Sequence, residues 1–238
     1  RSSFIFFSLI FLILKNDLYI LSGNGSINNP YRLGDYKEAS NNDLLNTRLI
    51  GEHVLYFGMS FRISDIDKDG NIRLTSTGYL KNNTTGNFIY SSYENEDKIL
   101  KFDPSKEGNI AYQLNHQHLD FIDDSLIVSH EFLLPTYEAN KKYSEYLASK
   151  FKTKVSIPAS YEMFSATNEQ MIGQASYWLL DYVDDKHAFM INSSNGKTFT
   201  IDSGSLYNSN GFKIQFYVSK NTKIKSGKGT SLNPYVIK

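Results

Sequence analysis

A twelve-residue segment occurs twice in this chain, and it constrains the fold more than any other feature. Residues 22–33 read Ser-Gly-Asn-Gly-Ser-Ile-Asn-Asn-Pro-Tyr-Arg-Leu, and residues 226–237 read Ser-Gly-Lys-Gly-Thr-Ser-Leu-Asn-Pro-Tyr-Val-Ile. The two align without a gap at a constant offset of 226 − 22 = 204 residues, with identities at Ser, Gly, Gly, Asn, Pro and Tyr. Gly-x-Gly supplies the positive φ values of a tight turn, and Asn-Pro-Tyr fixes an extended exit that lays an aromatic ring on the module edge. Similarity at a fixed period marks a repeated structural unit. Residues 1–33 are therefore expected to be the C-terminal tail of an upstream module, and residues 34–238 a module that ends in the repeat. A second reading of the first residues stays open. The apolar run at residues 4–14 is too short to cross a bilayer as a helix and has the length of a signal-peptide core, so it suits a secretion segment as well as strands of an upstream module. A phosphate-cradling reading of Gly-x-Gly is disfavoured, because such loops open a helix and no helical pattern follows either copy.

Composition narrows the function classes. With 40% hydrophobic and 21% charged residues in 238, the chain is an ordinary folded protein. Lys plus Arg and Asp plus Glu are 25 each, so no net field draws it to nucleic acid, and membrane association is expected only through a missing or upstream segment. The absence of cysteine removes disulfides, thiolate metal ligands and a cysteine nucleophile together. Abundant Tyr and Phe, with asparagine- and lysine-rich loops and little arginine, read as AT-rich coding of a low-GC bacterium.

Along the module, residues 54–57, 59–66 and 72–75 read as strands, with Lys68-Asp69-Gly70-Asn71 as the turn of the clearest hairpin. Residues 35–46 read as a short helix or loop, 109–119 as a short helix, and 159–165 as a helical turn. Tyr143, Tyr146, Leu147 and Phe151 fall at helical spacing, so residues 137–151 are expected to be helical. Residues 177–183, 188–192, 198–201 and 213–218 are strand candidates separated by polar loops. The expected class is α+β, with irregular antiparallel sheets, few short helices and long loops.

The order of Phe61-Arg62-Ile63, Asp69-Gly70-Asn71-Ile72-Arg73-Leu74, Tyr177-Trp178-Leu179, Gly211-Phe212-Lys213 and the closing Ser226-Gly227-x-Gly to Asn233-Pro234-Tyr235 resembles an uncharacterised family of cell-surface modules from low-GC Gram-positive bacteria. That resemblance implies a fold similar to C-type lectins and to the formylglycine-generating enzyme, and an extracellular or cell-surface location. The chain departs from the pattern in three places. Gly211-Phe212-Lys213-Ile214 stands where such modules often have Gly-x-Arg-Pro. Formylglycine chemistry needs a cysteine that is missing, and the tripeptides of calcium-dependent sugar binding do not occur.

No catalytic motif emerges: there is no G-x-S-x-G elbow, no Walker loop and no dinucleotide fingerprint followed by a helix. Asp65-x-Asp67-x-Asp69-Gly70 has the first half of a calcium loop, but Ser76 stands where the bidentate glutamate belongs, so a hairpin turn is the better reading. His116, His118, His130 and Glu131 have metal-ligand chemistry without a metal-site spacing. No metal and no cofactor are therefore expected. The best candidate ligand site is Trp178 with Asp181, Tyr182, Asp184, Asp185, His187 and Asn195, because an aromatic ring beside carboxylates, an imidazole and an amide suits sugar or protein ligands. The alternative for Trp178 is the centre of the core. Three functions are carried: a non-catalytic extracellular binding or adhesion module for a glycan or surface protein, a structural spacer repeat in a surface or pilin-like protein, and an enzyme with an unrecognised site.

Overall fold

The computed structural model describes residues 18–22, 30, 32–35, 38–81, 87, 90–91, 102–118, 122–136, 147–163, 176–183, 187–193 and 200–238. Its strands in chain order are β1 (Leu18–Ser22), β2 (Arg32–Asp35), β3 (His53–Tyr56), β4 (Met59–Ile66), β5 (Ile72–Ser76), β6 (Tyr90–Ser91), β7 (Ile127–Val128), β8 (His130–Thr136), β9 (Leu147–Thr153), β10 (Val155–Ser156), β11 (Tyr177–Tyr182), β12 (His187–Asn192), β13 (Thr200–Ser205), β14 (Asn210–Gly211), β15 (Gln215–Val218), β16 (Ile224–Ser226) and β17 (Tyr235–Ile237). Helices are short: α1 (Ile110–Tyr112), which widens into a π turn over Gln113–Gln117, and α2 (Ser160–Met163). The protein is mostly β-sheet with few short helices, in agreement with the α+β class.

Two compact units divide the chain. The first comprises residues 1–56, 62–74 and 218–238. Its strands follow the order β5-β4-β3-β17-β16, and β17 runs parallel to β3, with Tyr235 opposite Val54 and Val236 opposite Leu55. Along β4, Ile63 and Asp65 are buried while Arg62, Ser64 and Ile66 are half-buried, the period-two alternation of a strand with one face on a core. Leu45, Val54, Ile63, Ile72, Leu74 and Tyr235 fill that core with no exposed surface. The aspartate-rich segment is the β4–β5 turn. Asp67 Oδ1 accepts the N–H groups of Asp69 and Asn71, each at 2.8 Å, and its Oδ2 accepts the Asn71 side-chain amide at 2.9 Å.

β1 and β2 form an antiparallel hairpin in which Ile20 opposes Leu33 and Ser22 opposes Arg32, with an irregularity between residues 20 and 22. β16 and β17 form another. There Ile224 opposes Ile237 and Ser226 opposes Val236, with an irregularity between residues 224 and 226. Every position of the second hairpin is the first plus 204. The sequence repeat is thus a repeat of register and of bulge.

The second unit comprises residues 57–61 and 75–217. Its five-stranded sheet has the order β13-β12-β11-β14-β6, and β10 and β7 both pair with β15. Four successive β11 residues, Tyr177 to Leu180, are at most 1% exposed, so both faces of this strand are covered. Tyr177 and Leu179 pack with Tyr79, Ile191, Phe189 and Ile201 on one side. Lys213 is 1% exposed, and its ammonium lies 4.8 Å from the Tyr177 ring centroid. A buried lysine over an aromatic face is held by the ring quadrupole.

The helix expected over residues 137–151 is corrected for its last part. Residues 147–151 belong to β9, which pairs antiparallel with β8 from Thr136↔Leu147 to His130↔Thr153; residues 137–146 lie outside the described residues. Leu147 and Phe151 are four apart, an even number, so they share a strand face as well as a helix face. Pairing decides the matter. Phe151 stacks on Phe132 across the ribbon at 5.8 Å between centroids and meets Phe102 at 5.0 Å. Part of the loop expected over residues 203–211 is also strand, because β13 continues to Ser205 along β12 and Gly211 pairs with Tyr177.

Candidate functional site

The residues proposed from sequence separate on folding. Trp178 has no exposed surface and Asp181 is 2% exposed, so neither can touch a ligand from solvent, which corrects both as contact residues. The reason is the double-sided burial of β11, which places odd and even side chains alike inside the protein. His187 is half-buried at the start of β12, opposite Ser205. The side chain of Tyr182 and the whole of Asp184, Asp185 and Asn195 lie outside the described residues.

Asp181 instead fastens a helix. Its Oδ2 accepts the Ser160 backbone N–H at 2.5 Å and its Oδ1 accepts the Ser160 hydroxyl at 3.0 Å. Beside it, Glu162 Oε2 accepts the Ala159 N–H at 2.8 Å and the Gln215 amide at 2.9 Å. Two carboxylates thus satisfy donors at the start of α2, where a helix leaves N–H groups without internal partners. Burial pushes the Asp181 carboxyl up from its ordinary 3.8 to about 6, against the lowering by the Ser160 hydrogen bonds.

The histidines are dispersed. His116 stacks on Tyr112 at 4.2 Å, His130 stacks on Tyr217 at 3.6 Å, and His118 is half-buried with its basicity lowered by desolvation. Among the described residues no group of three or more His, Cys, Asp or Glu is placed to hold a metal ion.

A different site comes from the closing repeat. Gly227 has φ +102° and Gly229 φ +73°, a region that side chains strain to enter. A Cβ on Gly227 would lie 2.0 Å from the Pro234 carbonyl oxygen, and one on Gly229 would lie 2.5 Å from the Tyr235 ring. The Lys228 N–H donates to the Asn233 carbonyl at 2.9 Å, and the Gly229 carbonyl accepts the His53 N–H at 2.8 Å, which ties the turn to the start of β3. Tyr235 is buried and its hydroxyl donates to Glu52 Oε1 at 3.0 Å. Glu52 also takes Arg48 in a two-point ion pair, at 3.0 and 3.2 Å, and the Leu49 N–H at 2.7 Å. The Arg48 guanidinium lies 5.4 Å from the Tyr235 ring centroid. Both repeated glycines and the repeated tyrosine therefore have a physical task in one knot of turn, ring and ion pair.

Beside that knot runs a groove of about 290 Å³ lined by residues 49–52, Arg62 and residues 228–230. Arg62 Nε donates to the Gly51 carbonyl at 2.9 Å, which holds the guanidinium against the wall, and Lys228 meets Glu38 at 3.3 Å in an exposed pair. Glu52 is paired with Arg48 and Lys228 with Glu38, so the lining combines apolar surface from Leu49 and Ile50 with paired charges and backbone groups. Such a surface suits a ligand that presents an apolar face beside polar groups. Sequence reasoning missed it, although three of its residues lie inside the repeat that reasoning had singled out. No family model, no curated protein and no solved structure matches the chain.

Proposed function

We propose that this chain is a non-catalytic binding or adhesion module of an extracellular bacterial surface protein, on a C-type-lectin-like frame, and that it takes its ligand in the groove between residues 49–52 and the repeat turn. The observation that carries the reading is the groove's construction. Its walls are fixed by backbone hydrogen bonds and a buried ion pair, while its mostly apolar lining carries paired charges and backbone groups without a nucleophile set against a base. A fixed, mostly apolar wall with backbone groups and no activated nucleophile favours binding, as of a sugar ring or an apolar side chain, over bond cleavage. The mostly β frame with few short helices supports the lectin-like frame at the level of class.

An array of glycans and cell-envelope proteins tests the proposal. The wild-type chain should capture a ligand, and the double variant Arg62→Ala/Lys228→Glu should bind it at least about tenfold more weakly, which corresponds to about 1.4 kcal/mol. Equal weakening by Asp184→Ala/Asp185→Ala/His187→Ala, with the groove variant unaffected, would move the site to those loops. Failure to capture any envelope component would favour the structural-spacer reading, which the shared register of the two hairpins supports independently.

A further inference from the structure

The sheet of the first unit is closed by the β16–β17 hairpin, because the outer edge of β17 takes β3 in parallel through Tyr235↔Val54 and Val236↔Leu55. The β1–β2 hairpin reproduces that hairpin position by position. Ile20↔Leu33 and Ser22↔Arg32 correspond to Ile224↔Ile237 and Ser226↔Val236, with the irregularity at the same place. One step further from the turn, Tyr19↔Gly34 corresponds to Lys223 and Lys238, which exchange backbone hydrogen bonds at 3.0 Å in both directions. Arg32 stands where Val236 receives β3, yet among the described residues β1 and β2 form a sheet of two strands only. An edge of this kind presents a row of unmade backbone hydrogen bonds. The module's own β3 is already engaged by β17, so it does not serve both hairpins in this arrangement.

We propose that β1–β2 is the closing hairpin of another copy of this module, and that the outer edge of β2 takes in parallel the β3-equivalent strand of the copy preceding it in the same polypeptide. The direction follows from chain order, since in the complete pairing β3 lies N-terminal to the hairpin that closes on it. The inference stands apart from the groove and its ligand. It makes the hairpin an interaction surface whose partner is defined by register: a strand flanked by an Arg-x-x-x-Glu pair, as β3 is preceded by Arg48 and Glu52.

Interchange of the two hairpins tests this. In the full chain, residues 224–237 are replaced by the sequence of residues 20–33, an ungapped graft, and amide hydrogen exchange is read at residues 53–56. The graft should keep protection there within about tenfold of wild type, whereas a graft of the same residues in scrambled order should lose it by about a hundredfold or more. A native-order graft that exchanges like the scrambled one, or does not fold, overturns the proposal. The coding sequence upstream supplies a second measurement. At the repeat offset, 48 − 204 = −156, an Arg-x-x-x-Glu followed by an apolar strand should occur about 156 residues before position zero of this numbering. Upstream coding sequence lacking that strand would equally overturn the assignment.

Discussion

Asp181 is 2% exposed, and the donors around it are the N–H and hydroxyl of Ser160 rather than a cation. Burial disfavours its charged form, so its carboxyl is raised from 3.8 to about 6 in the folded chain. A raised carboxyl makes the folded state bind its proton more tightly than the unfolded chain does. The resulting stabilisation is complete below pH 3.8 and is lost as pH rises through 6. Relative to Asp181→Asn, the wild-type protein should therefore lose roughly 2 to 3 kcal/mol between pH 4 and pH 7. Urea unfolding of both proteins at four pH values measures this, with other titrations cancelling in the difference. A difference that does not change with pH would mean that the carboxylate is solvated. The same residue shows how far sequence can be read at this scale. An aspartate in Leu-Leu-Asp-Tyr looks like the polar end of a strand, and nothing next to it signals that Ser160, 21 residues earlier, supplies the donors.

At the scale of elements, the closing hairpin shows local encoding at its strongest. Its turn requires glycine at 227 for two separate reasons, the positive φ and the Pro234 carbonyl 2.0 Å from any added Cβ. Gly58 also has positive φ, +78°, but open space around the Cβ position. Gly58→Ala should therefore cost about 1 to 2 kcal/mol, the left-handed penalty alone. Gly227→Ala should cost at least about 1 kcal/mol more, because the backbone must also move. Thermal unfolding of the two variants decides this, and equal losses would show that the contact at Pro234 relaxes freely. The β8–β9 ribbon is the opposite case. Its residues satisfy helical and strand periodicity together, and what makes β9 a strand is the register with β8 and the rings of Phe132 and Phe102 against Phe151.

For the molecule as a whole, the single tryptophan is a convenient reporter, because Trp178 has no exposed surface. Its emission should be blue-shifted in the folded protein, poorly quenched by iodide, and red-shifted on unfolding. Strong iodide quenching in the native state would return Trp178 to the surface and revive its candidacy as a stacking platform. By itself the sequence determined the α+β class, the β4–β5 hairpin and the strand-turn-strand of the repeat. These depend on neighbours in the chain: an Asp-Gly turn, a Gly-x-Gly pair that accepts positive φ, a proline that fixes the exit, and apolar alternation. It did not determine which side of a strand would be covered twice, which partner β9 would choose, or that Glu52 would join Arg48, the Leu49 N–H and the Tyr235 hydroxyl beside a groove. Those outcomes belong to the tertiary structure, because burial and hydrogen bonding in them are set by groups as far apart as residues 52 and 235, whose approach no local propensity records.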